Sequence, residues 1–246
     1  MNREREPGKK TWIQVRQEAG PEVKILTYRY HSRRLAKNRA EQRRKEDIRK
    51  AIRDCWCRKD PTGRMELYLA CVGWNAVHYV LTYEAIAEPL RYQDVIKDID
   101  RFRRALKRKR KRPFVYLYAI EGLHGDKRWH IHLVVDSRET SELEIAAHWL
   151  GGHVERAGGQ IAKRNGGYRG LAEYLTKERK DGVRKPLDVR GWGVSRELRD
   201  RLQPPQKSVV SRPAPRVPKG ATQVWRSEPV RNEFGEYRYV TYIKPN

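Results

Sequence analysis

FVYLYAIEGLHGDKRWHIHLVVD, residues 114–136, decides how the rest of the chain is read. FVYLYAIE (114–121) and RWHIHLVVD (128–136) are rich in β-branched and aromatic residues, and GLHGDK lies between them. Two such runs around a short glycine-containing loop predict an antiparallel hairpin. Side chains alternate across a strand, so His130 and His132 share one face and Ile131 takes the other. Glu121 ends the first strand. A register that aligns the loop ends brings its carboxylate beside the two imidazoles.

Working outward, MELYLACV (65–72) and AVHYVLTY (76–83) read as two further strands. Residues 91–112 read as a helix, with Val95, Ile99, Phe102 and Leu106 on one apolar face. It ends in RFRRALKRKRKR, where nine of twelve residues are basic, before Pro113 stops it. Downstream, Ser141 and Glu144 form a capping box that starts a helix through Leu150. Leu143, Ala146, Ala147 and Leu150 are its expected buried stripe. GGHVERAGG (151–159) holds a short strand, and GYRGLAEYLTKER (167–179) a last helix. This order predicts an α+β fold, a ferredoxin-like (palm/RRM-like) antiparallel sheet backed by helices.

The chain divides by composition into a basic, largely helical extension (1–62), a catalytic-size domain (63–200), and a Pro-rich linker with a β-hairpin tail (201–246). SRRLAKNRAEQRRKEDIRKAIRDCW (32–56) reads as a long basic helix. ATQVWRSEPV and GEYRYVTYIK are the two arms of the tail. The net charge of +24 on 246 residues points to a polyanion, most simply nucleic acid. No stretch approaches the ~18 apolar residues of a spanning helix, so no membrane partner is expected. MNREREPGKK leads into no apolar run, so a cytoplasmic rather than secreted protein is expected. Three cysteines exclude an extensive disulfide framework. Cys55, Cys57 and Cys71 lack the fourth ligand of a zinc site, which leaves free thiols as the simpler reading.

Chemistry concentrates in two motifs. His130 and His132 are a ready pair of metal ligands on a rigid strand. With Glu121 they offer two nitrogens and one oxygen to Mg²⁺ or Mn²⁺, leaving positions open for a phosphate. The bland alternative is two histidines on a half-exposed strand. In Tyr174-Leu175-Thr176-Lys177, the helical wheel puts Tyr168, Leu171, Ala172 and Leu175 on the core side. Tyr174 falls at the edge of that stripe, with Lys177 on a neighbouring face. Alone this is an ordinary surface pair. Together with the histidines it supplies the parts of a strand-nicking enzyme. A metal makes phosphorus more electrophilic, and tyrosine becomes a nucleophile when a cation or base assists it. His124 in the hairpin loop reads as a solvent-exposed or DNA-contacting residue. The basic run 101–112 reads as a phosphate-contacting face.

With these residues in place, the sequence resembles the HUH endonucleases, in particular the rolling-circle replication initiators of plasmids and phages. The likeness rests on VLTYEA (80–85), HIH (130–132) within AIEGLHGDKRWHIHLVV, YLTK (174–177) and GWGVSRELR (191–199). It implies the HUH endonuclease fold, with His130, His132 and Glu121 as metal ligands. It also implies Tyr174 as the nucleophile that keeps the 5′ phosphate and frees a 3′-OH, and Lys177 as the residue orienting tyrosine or phosphate. One turn before Tyr174 stands Gly170, not the second tyrosine or acid of multi-turnover members, so a single-tyrosine mechanism is expected. Glu178 is a candidate base for termination. The implied partners are single-stranded DNA or an origin hairpin. A host helicase and polymerase are also expected, since no Walker-type loop is present. Two alternatives stay open: a single-tyrosine transposase or relaxase of the same superfamily, and a basic nucleic-acid-binding protein without catalysis.

Overall fold

The computed structural model describes residues 12–30, 61–110, 113–123, 127–164, 166–177, 190–232 and 235–246. The chain forms two compact units, residues 61–202 and residues 1–60 with 203–246. No helix among the described residues is long and apolar enough to cross a membrane.

In the first unit, α1 (Pro61–Val72) leads into β3 (Ala76–Thr82), α2 (Tyr92–Lys109), β4 (Tyr116–Glu121) and β5 (His130–Asp136). The short α3 (Glu142–Ala146), β6 (Val154–Arg156), α4 (Gly167–Thr176), β7 (Trp192–Val194) and α5 (Arg196–Arg201) follow. The sheet order is β6-β3-β5-β4-β7, with every pair antiparallel. β3-α2-β4-β5-α3-β6 with β5 between β3 and β4 is the split βαβ arrangement of a ferredoxin-like layer. The α+β expectation therefore holds.

One face of this sheet is apolar. Val77, Tyr79 and Leu81 of β3, Tyr116 and Ile120 of β4, and Ile131, Leu133 and Val135 of β5 pack with Val95, Ile99, Phe102 and Leu106 of α2. Those four helix residues are the ones the helical spacing selects. The opposite face lies under α1, which packs on β3, β4 and β5 and against α4.

Two local expectations are corrected. MELYLACV is not a strand but the body of α1, with all eight residues buried. A short continuous apolar run does not distinguish a buried strand from a buried helix by its period. Met, Leu, Glu and Ala favour the helix, and Pro61 at the first position starts it. The stripe predicted on α3 is also wrong. Leu143 is 84% and Leu150 77% exposed, and Ile145 and Trp149 are the buried pair instead. The capping interaction is present, with Glu144 N–H donating to Ser141 Oγ over 3.2 Å. The helix ends at Ala146, however, one turn short of Leu150.

The second unit is a six-stranded antiparallel sheet. Its strands are β1 (Trp12–Ala19), β2 (Glu22–Tyr30), β8 (Gln206–Val210), β9 (Thr222–Arg226), β10 (Val230–Asn232) and β11 (Gly235–Ile243). The order is β10-β11-β2-β1-β8, and β9 also pairs with β11. Val23, Ile25, Val240 and Tyr242 form its core, with Val217 and Ala221 packed against them. The ends of the chain are thus organised differently from an extension plus a linker and tail. Residues 12–30 are strands joined by a two-residue loop, where Gly20 adopts the positive φ of 53° that a tight hairpin demands. The basic helix expected over 32–56 lies outside the described residues.

Candidate active site

β3, β4 and β5 carry the candidate residues on the face under α1 and α4. The register sets Glu121 opposite His130 and Ala119 opposite His132. It also sets Val80 opposite His132 and Thr82 opposite His130. All of these side chains, with His78 two residues before Val80, share one face. Gly122 lets the chain turn directly after Glu121. Its φ is +98°, and a Cβ there would meet the Arg128 carbonyl oxygen at 3.0 Å.

Glu121 is the hub of the arrangement. One oxygen lies 3.1 Å from His132 Nε2 and the other takes a 2.5 Å hydrogen bond from Lys127 Nζ. The Tyr174 hydroxyl also hydrogen-bonds to this carboxylate. The Tyr174 ring meets the His132 ring edge-on, with centroids 5.6 Å apart and planes at 89°. The contact from Glu121 to His132 runs along the diagonal of the antiparallel pair, a reach open to a long side chain. His130 sits at the strand's start, half-buried, with Nδ1 2.7 Å from the Arg128 carbonyl oxygen. A carbonyl only accepts, so that nitrogen carries the proton and Nε2 keeps its lone pair.

Tyr174 is held in place by the seating of α4. Its helix starts on Gly166 and Gly167, both at positive φ. Tyr168, the buried tyrosine of the same helix, donates from its hydroxyl to the Gly73 carbonyl over 2.9 Å. Arg169 reaches Glu66 of α1 at 3.4 Å, and Thr176 Oγ1 meets Thr62 Oγ1 at 2.6 Å. Tyr174 itself is 53% exposed, with its ring over His132.

Lys177 is not brought to the others. It is the C-cap of α4, and among the described residues no hydrogen bond or ion pair joins it to Tyr174, His132 or Glu121. The cation beside Glu121 is Lys127, which the sequence reading passed over as a loop residue. Glu178, His124, Cys55 and Cys57 lie outside the described residues. Cys71 is a buried free thiol of α1. Part of the basic run is structural. Arg110 makes a two-pronged bond to Glu144, at 2.7 Å each, and its guanidinium is nearly buried. Arg101, Arg104, Lys107 and Arg108 remain exposed.

A second histidine was also missed. His78 is buried, and its Nε2 lies 3.0 Å from His132 Nδ1. Burial, reinforced by His132 and Arg164, pushes its pKa down to about 3, so it is neutral near pH 7. Burial also lowers His132, against the pull of Glu121. For Glu121, burial favours the acid form, but the hydrogen bonds from Lys127 and His132 win and hold its pKa below the usual carboxylate value. Burial and the Glu121 charge raise the Tyr174 phenol, which rests protonated.

Among the described residues, no three His, Cys, Asp or Glu side chains stand in metal-holding positions. The pair in place is His132 with Glu121, and it fits a hard divalent ion. Two ligands about 2.1 Å from one octahedral ion at right angles lie about 3.0 Å apart. The observed separation is 3.1 Å. Beside His130 a cleft of about 380 Å³ opens, lined in part by Thr82, Glu84, Arg128, Trp129 and His153.

No curated protein and no solved structure matches the chain. Residues 76–179, the stretch from β3 past α4 that holds every candidate residue above, match the family model of the replication-associated protein ORF2.

Proposed function

We propose that the chain is a metal-dependent endonuclease and strand transferase for single-stranded DNA, and that it initiates rolling-circle replication of a plasmid or phage. The observation that carries this reading is the meeting of Tyr174, His132 and Glu121 on one sheet face. The similarity of residues 76–179 to replication-associated proteins favours replication over transposition or mobilisation.

His132, Glu121 and His130 would hold Mg²⁺ or Mn²⁺, which when bound withdraws charge from the scissile phosphate. The Tyr174 oxygen attacks phosphorus, forming the tyrosine–phosphate bond as the bond to the 3′ oxygen breaks. Glu121 already accepts the phenol's hydrogen bond, so it keeps the oxygen aimed at the ligand pair and stands ready for the proton. The product is a 5′ phosphotyrosine and a free 3′-OH. The linkage conserves the bond energy for resealing by a later 3′-OH. The cleft beside His130 takes a nucleotide flanking the scissile bond, with Trp129 available for stacking. The exposed cations of α2 contribute phosphate contacts, which give affinity and salt dependence rather than sequence readout. Such a protein works in the bacterial cytoplasm beside a host helicase and polymerase.

Incubation with a labelled origin oligonucleotide and Mn²⁺ tests the reading. The wild type is expected to form a covalent adduct whose labelled peptide contains Tyr174, and Tyr174→Phe none. An adduct of undiminished yield in Tyr174→Phe overturns the assignment.

A further inference from the structure

His78 takes no part in the chemistry just described, yet it is the most closely engaged neighbour of a residue that does. It lies on β3 and His132 on β5, diagonal to one another across the strand pair. Both side chains are buried, at 4% exposure each. Their rings stand 5.1 Å apart, tilted by 41°, with Nε2 of His78 3.0 Å from Nδ1 of His132. On the far side of the His132 ring is Glu121. Three side chains from three adjacent strands therefore form one hydrogen-bonded row, His78–His132–Glu121.

A neutral imidazole has one N–H and one bare nitrogen. Facing a carboxylate, His132 donates from Nε2, so its Nδ1 is bare and must accept. His78 then donates from Nε2. A cation bound at His132 Nε2 needs the opposite pattern. Nε2 must be bare, Nδ1 must carry the proton, and His78 Nε2 must accept it. The usual partner of a ligating histidine is a carboxylate or carbonyl, which only accepts and so fixes one tautomer. An imidazole serves both patterns.

We propose that His78 is the positioning residue of His132, setting its ring orientation and exchanging tautomers with it when His132 Nε2 passes from Glu121 to a divalent cation. The inference rests on the reading of His132 as a metal ligand. Protons balance. In the change, His78 Nε2–H passes its proton to His132 Nδ1. The proton leaving His132 Nε2 goes to solvent, and His78 Nδ1 takes one from solvent. Each ring ends with the single proton it began with.

Calorimetric titration of Mn²⁺ and long-range ¹H–¹⁵N spectra of the histidine rings test this on the full chain. In wild type without metal the His132 ring is expected in the Nε2–H form, and with Mg²⁺ in the Nδ1–H form. Outer partners of metal ligands are worth about 10–100-fold in affinity, so His78→Leu is expected to weaken Mn²⁺ binding by that factor. His78→Asn, polar but too short to reach, is expected to behave like His78→Leu. His78→Gln is expected to recover most of the affinity, because its amide reaches the Nε2 position and presents either N–H or C=O. Should the Leu variant fail to fold, the Asn and Gln pair decides. A wild-type heat that the Leu and Asn variants reproduce overturns the inference alone, as does a His132 ring locked in one tautomer with and without metal. A wild type that binds no Mn²⁺, or a His132→Ala variant that binds it equally well, overturns the metal reading and this inference together.

Discussion

The two faces of β3-β5-β4 are built from alternate residues of the same strands, and they do different work. Val77, Tyr79 and Leu81 of β3 and Ile131, Leu133 and Val135 of β5 close a dry core with α2. Shifted by one residue, His78, His130 and His132 face α1 and α4, joined by Glu121 from β4 and Tyr174 from above. The pleat lets one strand anchor the fold and display polar groups without compromise between the two tasks. The polar face is buried without being apolar, so its stability depends on hydrogen bonds within the row. The apolar face makes those bonds short by holding the strands rigid.

The largest effect should come from the polar face and leave the fold untouched. Tyr174→Phe removes the attacking oxygen, and loss of a nucleophile costs about a thousandfold or more. Adduct yield with an origin oligonucleotide checks this, while thermal unfolding stays close to wild type because the ring is half exposed. Tyr168→Phe on the same helix sharpens the contrast. It strips the partner from the Gly73 carbonyl, costs about 1 kcal/mol, and leaves the adduct in place.

On the apolar face the order reverses. Leu133 is 2% exposed, and Leu133→Ala is expected to destabilise the chain by about 2–5 kcal/mol in urea unfolding. Mn²⁺ affinity measured well below the unfolding midpoint should not change. A Leu133→Ala variant that folds like wild type yet loses metal binding would break the division between the faces.

Acid should separate the faces as well. The unfolded chain protonates His78 near 6.5, whereas the native ring holds out to about 3. Between those values the unfolded state binds more protons, so stability rises with pH there and is lost as pH falls from about 6.5 toward 3. The slope is about 1.4 kcal/mol per pH unit for one such group, and His132, also lowered, adds to it. His78→Gln is expected to flatten the curve below pH 6.5. Leu133→Ala should shift the whole curve down without changing its slope. Unfolding free energies measured from pH 7 to pH 4 distinguish the two.

The apolar face was more legible than the polar one for a physical reason. Period-two alternation marks β4 and β5, and a three-to-four step marks α2, because burial on one side dictates both. Where burial is two-sided the pattern disappears, and Met65–Val72 reads as a strand although it is a helix. On a helix of five residues a stripe has no length over which to declare itself, so Leu143 was set inward and Ile145 outward. At the chain ends the count of basic residues masked the alternation of β1 and β2. In the site, His130-Ile131-His132 needs only the pleat to be recognised. Finding His78 beside it requires knowing that β5 lies between β3 and β4, and a helix separates β3 from both in sequence. Lys127 stands near Glu121 through the shape of the hairpin loop, which no strand period encodes.

The smallest effect settles which lysine belongs to the site. The motif paired Tyr174 with Lys177, but Lys127 Nζ is the group 2.5 Å from Glu121. An ammonium there competes with a divalent ion for the same carboxylate and repels it. The pair is more than half exposed on the lysine side, so water and salt screen it. Exposed pairs of this kind are worth about 0.2–1 kcal/mol, or about 1.4- to 5-fold in a binding constant. Lys127→Met is therefore expected to tighten Mn²⁺ binding by up to about fivefold. The gain should shrink as salt is raised from about 50 to about 500 mM, as the Debye length contracts. Lys177→Met should leave the affinity where it was, since nothing links that side chain to Glu121. If Lys177→Met is the variant that moves Mn²⁺ affinity, the end of α4 must reach the ligand pair, and the polar face extends one turn beyond Tyr174.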